Sequence, residues 1–151
     1  MEKIKTYNNG LRLVVKTMPG LYTVSLGILV NTGSINETAE NNGISHYIEH
    51  MLFKGTEKRS AFEISDSTER LGSQINAYTA DLFFNSVFDD EESAREKGVI
   101  QEEIHMCDDA PEGLCFDLLA ESYFGKSGLG RTVLGTSENV DRFTKEDILS
   151  Y

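Results

Sequence analysis

Apolar and polar residues alternate along KIKTYNNGLRLVVKT, on both sides of Asn8-Asn9-Gly10. A period of two around an Asn-Gly pair predicts a β-hairpin. Tyr22 to Val30 (YTVSLGILV) is a continuous β-branched and apolar run, which predicts a third, buried strand. From Gly43 the period lengthens. Ile44, Tyr47, Ile48, Met51 and Leu52 fall on one side of a helix that stops near Gly55, a residue suited to the left-handed position after a helix. Ser60 and Glu63 have the spacing of a capping box, so a second helix opens there and ends at Gly72. QINAYT, positions 74–79, reads as a strand. Asp89 or Asp90 starts an acid-led helix that runs to about Met106, the acids suiting its positive end. Pro111 stands at the entry of a further helix from Glu112 to Phe124, and Thr144 with Asp147 marks the start of a last one. The run LFFNSVF, 82–88, fits a buried strand and the end of a helix equally well, because a short apolar run has no readable period. Strands followed by helices, with a strand returning, predict an α+β fold with a mixed or antiparallel sheet packed against helices. No repeat interrupts the pattern, and 151 residues fit one domain or a piece of a larger one.

Charge narrows the partners. The net charge of −11 argues against nucleic acid and anionic membranes, although part of it is local to Asp89, Asp90, Glu91, Glu92, Glu96, Glu102 and Glu103. Cys107 and Cys115 form neither a CxxC pair nor a disulfide framework, so they read as free thiols in a reducing compartment. The opening MEKIKTYNNG has no apolar core of a signal peptide, and no apolar run is long enough to cross a bilayer. The expectation is a cytoplasmic chain with no membrane and no nucleic-acid partner.

The chemistry sits in the predicted helix after Gly43. His46 and His50 are four residues apart, so both imidazoles leave one face on neighbouring turns, a spacing that suits two nitrogen ligands of one zinc ion. Glu49, three beyond His46, lies on the same face, where its carboxylate can take a proton from a water held by the metal. Phe53 continues the stripe and is placed to wall a substrate pocket. The bland alternative is two surface histidines beside an incidental acid. The full H-x-x-E-H pattern arises by chance in roughly a few per thousand chains of this length, so the metal reading is favoured. A catalytic zinc usually takes three protein ligands. His105 stands alone near the end of the acid-led helix, which also offers Glu96, Glu102 and Glu103. Glu96 and Glu103 are two turns apart on one face, and Glu102 lies about a hundred degrees away. Spacing makes one acid a third ligand and another a support for a histidine, without choosing between Glu102 and Glu103.

These residues resemble a known family. HYIEHMLFKGTEKRSAFEISDSTERLGSQINAYT, REKGVIQEEIHM and LGRTVLGTSENVDRFTKEDILSY, in that order, are similar to the N-terminal domain of the pitrilysin and mitochondrial processing peptidase family of inverzincin zinc metallopeptidases. The likeness covers nearly the whole chain and is closest to bacterial processing-protease-like members. It implies one zinc ion per chain held by His46, His50 and Glu103, with Glu49 as catalytic base and Glu96 supporting the site. It implies that Asn76 and Ala77 lie on an edge strand along which an extended peptide adds as a further strand, with Phe53 near the pocket beyond the cleaved bond. The implied activity is zinc-dependent endopeptidase hydrolysis of peptides or unfolded polypeptide segments; the alternative is a catalytically incomplete peptide-binding fragment or a structural subunit of a processing peptidase.

Two departures from the family stand out. Between the histidines and the third ligand the family has roughly two dozen more residues, enough for a strand and a three-turn helix. The join falls near Thr79-Ala80-Asp81, where QINAYT runs directly into DLFFNSVF, the tail of a helix in the family, so the resemblance makes 82–88 helical or helix-exit. Family members also have two similar halves, and Tyr151 falls inside the zinc-bearing one. Residues 1–151 therefore read as a partial N-terminal zinc-peptidase domain with an internal omission near 79–81. The expected partners are a peptide or unfolded protein substrate, the missing C-terminal half, and a second copy or an inactive homologous subunit.

Overall fold

The computed structural model describes residues 2–22, 25–70 and 79–151, with the side chains of 67–70 and 79 left aside. Strands β1 (Glu2–Thr6) and β2 (Arg12–Lys16) form the predicted antiparallel hairpin, with Ile4 opposite Val14. Its turn is closed by the Gly10 N–H on the Tyr7 carbonyl at 2.9 Å, and Gly10 takes the positive φ of 87° that such a turn asks of its last residue. Both faces of the hairpin are exposed.

The predicted third strand is a correction. Residues 21, 22 and 25–30 are exposed and belong to no ladder, and Tyr22 and Leu29 are fully open. A strand exists only through a neighbour that takes up its backbone groups. The further strand read at 74–79 lies outside the described residues except for Thr79, which opens a helix instead.

The helices carry the fold. α1 (Ile44–Met51) and α2 (Ala61–Arg70) follow the long loop after the hairpin, and α3 (Thr79–Asn85) falls in the ambiguous segment, resolving it as helix and helix exit. α4 (Asp90–Asp108), α5 (Pro111–Phe124), α6 (Ser137–Arg142) and α7 (Lys145–Ser150) complete the order. Local signals explain most boundaries. Ser60 and Glu63 exchange capping bonds at the start of α2, and Thr144 and Asp147 do the same for α7. The Asp89 carboxylate accepts from the N–H groups of Glu91 and Glu92 to open α4. α1 is shorter than expected. The chain leaves it after Met51 through a turn over Leu52, Phe53 and Lys54, and Gly55 with φ 127° sits beyond that turn. α3 is tied to the loop between α1 and α2 through Asp81, which accepts from the Thr56 hydroxyl at 3.0 Å and pairs with Arg59.

The core lies where α1 crosses α4. Ile44, Tyr47 and Met51 of α1 meet Ile100 and Ile104 of α4 and Val140, Phe143 and Ile148 from the C-terminal helices. The apolar stripe read from the sequence is therefore what docks the histidine helix onto the acid helix.

Candidate metal centre

Docking α1 on α4 through that stripe leaves its histidines facing the row of acids on α4. Glu96 and Glu103, two turns apart with fully buried Ile100 between them, both reach α1. The Nε2 atoms of His46 and His50 stand 3.1 Å apart. Glu103 Oε2 lies 3.5 Å from the first and 3.4 Å from the second. These three residues are the group capable of holding a metal among the described residues.

The triangle fits an ion. Zinc bound tetrahedrally with bonds of about 2.0–2.1 Å has ligand-to-ligand edges of roughly 3.3–3.4 Å, and the three edges here bracket that value. Protonation points the same way. The Nδ1 of His50 lies 2.8 Å from Glu96 Oε1, and the other Glu96 oxygen lies 2.6 Å from Lys54 Nζ. Glu96 thus accepts on both oxygens, so His50 donates from Nδ1 and turns the lone pair of its Nε2 towards His46 and Glu103. One proton on His46 Nε2 cannot serve all three edges, whereas a central cation can. The Nδ1 of His46 is buried and makes no hydrogen bond. His46 is held below the usual histidine pKa, first by burial and then by the neighbouring His50, against the opposing charges of Glu103, Glu49 and Glu37. That favours the neutral imidazole, the form that ligates metal.

The other expected residues are placed as follows. Glu49 is exposed on α1 between the two histidines, near enough for its charge to act on His46. Phe53 is half-buried in the turn after α1. Glu102 and His105 are exposed, so α4 turns Glu103 rather than Glu102 to the histidines. Asn76 and Ala77 lie outside the described residues.

Two positioning residues escaped the sequence reading. One is Lys54. The other is Glu37, a buried acid in what reads as a polar loop. Its carboxylate accepts from the N–H of Gly43 at 2.8 Å, the N–H of Ser45 at 3.0 Å and the Asn42 side chain at 3.0 Å, so it caps the helix that carries both histidines. Gly43 makes the entry possible. Its φ is 96°, and a Cβ there would stand 2.6 Å from the Leu134 carbonyl oxygen, where the 134–135 backbone crosses. No short-range spacing marks Glu37, because its three donors follow it at irregular intervals.

Comparison with known proteins decides the family. A model described as Insulinase (Peptidase family M16) matches residues 12–81 and 79–137. The chain belongs to this peptidase family. Among relatives of the M16 chain, the uncharacterized zinc protease YmxG of Bacillus subtilis (strain 168) is 40% identical over 174 positions, spanning all of this chain and 42% of that protein. The mitochondrial-processing peptidase subunit beta of Mus musculus is 33% identical over 172 positions, 99% of this chain and 35% of its own length. A solved protease from Helicobacter pylori superposes with a TM-score of 0.78 at 21% identity, covering 99% of this chain and 42% of that one, which shows the shared fold. This M16 chain therefore spans less than half the length of the relatives it matches.

Proposed function

We propose that the chain is the zinc-bearing part of an M16 metalloendopeptidase that hydrolyses peptides or unfolded polypeptide segments. The observation that carries this reading is the convergence of His46 Nε2, His50 Nε2 and Glu103 Oε2 within one tetrahedral face. Zinc bound there would polarise a scissile carbonyl and lower the pKa of a water. Each side chain then has one task. His46, His50 and Glu103 hold the ion, one per chain. Glu96 fixes the ring of His50. Glu49, on the open side of α1, accepts the proton of the attacking water and delivers it to the leaving amine. Phe53 borders the substrate side chain beyond the cleaved bond, and Asn76 with Ala77 offers the strand edge that receives the peptide backbone. A reducing, cytoplasmic setting suits the two exposed free cysteines. No helix among the described residues is long and apolar enough to cross a membrane.

An internal omission near 79–81 belongs to the same reading. The two family matches meet and overlap at 79–81. An alignment of 174 positions with a chain of 151 residues leaves about two dozen positions of the relative without a counterpart. Such an omission would shorten the substrate edge while leaving the α1–α4 contact, and with it the metal site, in place.

The short span relative to whole peptidases favours a second reading, a fragment that binds zinc and peptide without turnover until the missing C-terminal half, a second copy or a homologous subunit joins it. Cleavage of a fluorogenic unstructured peptide by the zinc-loaded chain, beside Glu49→Gln, tests the first reading. The expected result is turnover that Glu49→Gln abolishes while keeping its zinc. Zinc with no turnover in either protein selects the second reading, and equal turnover in both overturns Glu49 as the base.

A further inference from the structure

We infer that Lys54 is a positioning residue of this centre, acting through Glu96 to fix the ring of His50. The inference rests on the metal reading above and extends it to a residue that coordinates nothing itself.

Lys54 Nζ lies 2.6 Å from Glu96 Oε2, while Glu96 Oε1 lies 2.8 Å from His50 Nδ1. Ammonium, carboxylate and imidazole therefore form one line ending at His50 Nε2. The carboxylate in the middle is nearly sealed, with its side chain 6% exposed, and the Lys54 side chain is itself 29% exposed. This separates the pair from ordinary surface ion pairs, whose worth is small. A buried carboxylate facing a single imidazole proton would carry an uncompensated charge and an unused oxygen, and its rotamer would be free to turn. Lys54 supplies the countercharge and occupies the second oxygen. Each bond constrains the other, because a carboxylate held at both oxygens has one orientation left.

The backbone explains how this lysine arrives. Lys54 is the last residue of the turn that closes α1, its N–H bonding the Met51 carbonyl at 3.2 Å. Gly55 then takes a φ of 127° and its carbonyl accepts from the Val87 N–H at 3.2 Å, which pins the far side of the turn. The turn that ends the helix thus sends the ammonium back to the acid supporting the helix's second histidine. A helix continuing to Gly55, as the sequence pattern suggests, would have no such turn. The consequence is tautomer control: His50 keeps its proton on Nδ1 and presents the Nε2 lone pair to the cluster before any metal arrives.

The test uses the full 151-residue chain as Lys54→Met, Lys54→Arg, Glu96→Gln and the Lys54→Met/Glu96→Gln double variant, with Lys54→Gln in reserve should the methionine variant fail to fold by circular dichroism. Zinc affinity is read by competition with a chromogenic chelator, and the His50 tautomer of the metal-free chain by nitrogen–proton NMR correlation. Lys54→Met is expected to weaken zinc binding roughly 10-fold, within the range known for groups that support a metal ligand. It should also turn a single Nδ1–H signal of His50 into a mixture of tautomers. Lys54→Arg should restore most of both, and in the Glu96→Gln background Lys54→Met should weaken binding no further, because the lysine has no route to the site except that carboxylate. Unchanged affinity and tautomer in Lys54→Met, or a loss in the double variant equal to the sum of the two single losses, would overturn the inference. Should the parent chain bind no zinc, the metal reading fails by itself, while the tautomer of the metal-free chain still decides the role of Lys54.

Discussion

Replacing Glu37 with alanine removes the acceptor for three donors at the entry of α1: the N–H groups of Gly43 and Ser45 and the Asn42 side chain. Asn42 keeps a partner in the Thr132 carbonyl at 3.0 Å. The two backbone groups have none in reserve, since the first N–H groups of a helix find no acceptor within it. Leaving a buried donor unmet costs roughly 1–3 kcal/mol. Gly43 is buried and Ser45 half-buried, so the two together put the loss at about 3 kcal/mol. With a urea slope of roughly 1.5–2 kcal/mol per molar for a domain of this size, the unfolding midpoint should fall by about 1.5–2 M. The same substitution removes a pH dependence. Burial alone would raise the Glu37 pKa, but hydrogen bonds from Ser45, the Gly43 N–H and Asn42 outweigh it and hold the carboxyl below its ordinary value. A depressed native pKa means that the unfolded chain binds the proton first. The stabilisation is therefore complete above the ordinary carboxylate pKa and disappears as pH falls through the native value. Urea titrations by far-ultraviolet circular dichroism at neutral pH and at a pH below the ordinary carboxylate pKa give both quantities. A midpoint shift below about 0.5 M, or the same acid sensitivity in the parent and Glu37→Ala, would refute the cap.

The remaining predictions concern the site and its approach. Glu103→Gln should lower zinc affinity by one to two orders of magnitude while Glu102→Gln leaves it unchanged, as read by chelator competition, since only the former reaches both rings. Gly43→Ala should destabilise the chain by about 2 kcal/mol or more, because alanine at φ 96° is strained and its Cβ meets the Leu134 carbonyl; thermal unfolding beside Gly27→Ala, a glycine with open space around it, checks this.

Where an element's cause lies within a few residues, the sequence displayed it. Alternation around Asn8-Asn9-Gly10 specified the hairpin, Ser60 with Glu63 and Thr144 with Asp147 specified two helix starts, and the pair Asp89-Asp90 marked a third, which Asp89 caps. The short helix α6 went unread although Thr136 caps it, because its six residues carry no measurable period. The run from Tyr22 to Val30 differs for another reason: strand propensity states a preference, and pairing needs a neighbour, which the described residues of this run do not have. α1 was read too long because Gly55 resembles a helix stop, while the stop is made by the turn that returns Lys54 to Glu96. At the site, the i, i+4 histidines were legible because one helix fixes their geometry. The choice of Glu103 over Glu102 depends on the rotation of α4 against α1, which the packing of Ile100 and Ile104 on Tyr47 and Met51 sets. Glu37 was invisible for the same reason, since its value comes from donors that the fold, not the spacing, brings to it.

The central claim is that two imidazoles of α1 and one carboxylate of α4 grip a single ion. Metal analysis after equilibrium dialysis against buffered zinc, on the chain and on His50→Ala side by side, addresses it most directly. The account predicts one zinc per parent chain and a near-total loss in the variant. The same small amount of zinc in both would contradict it.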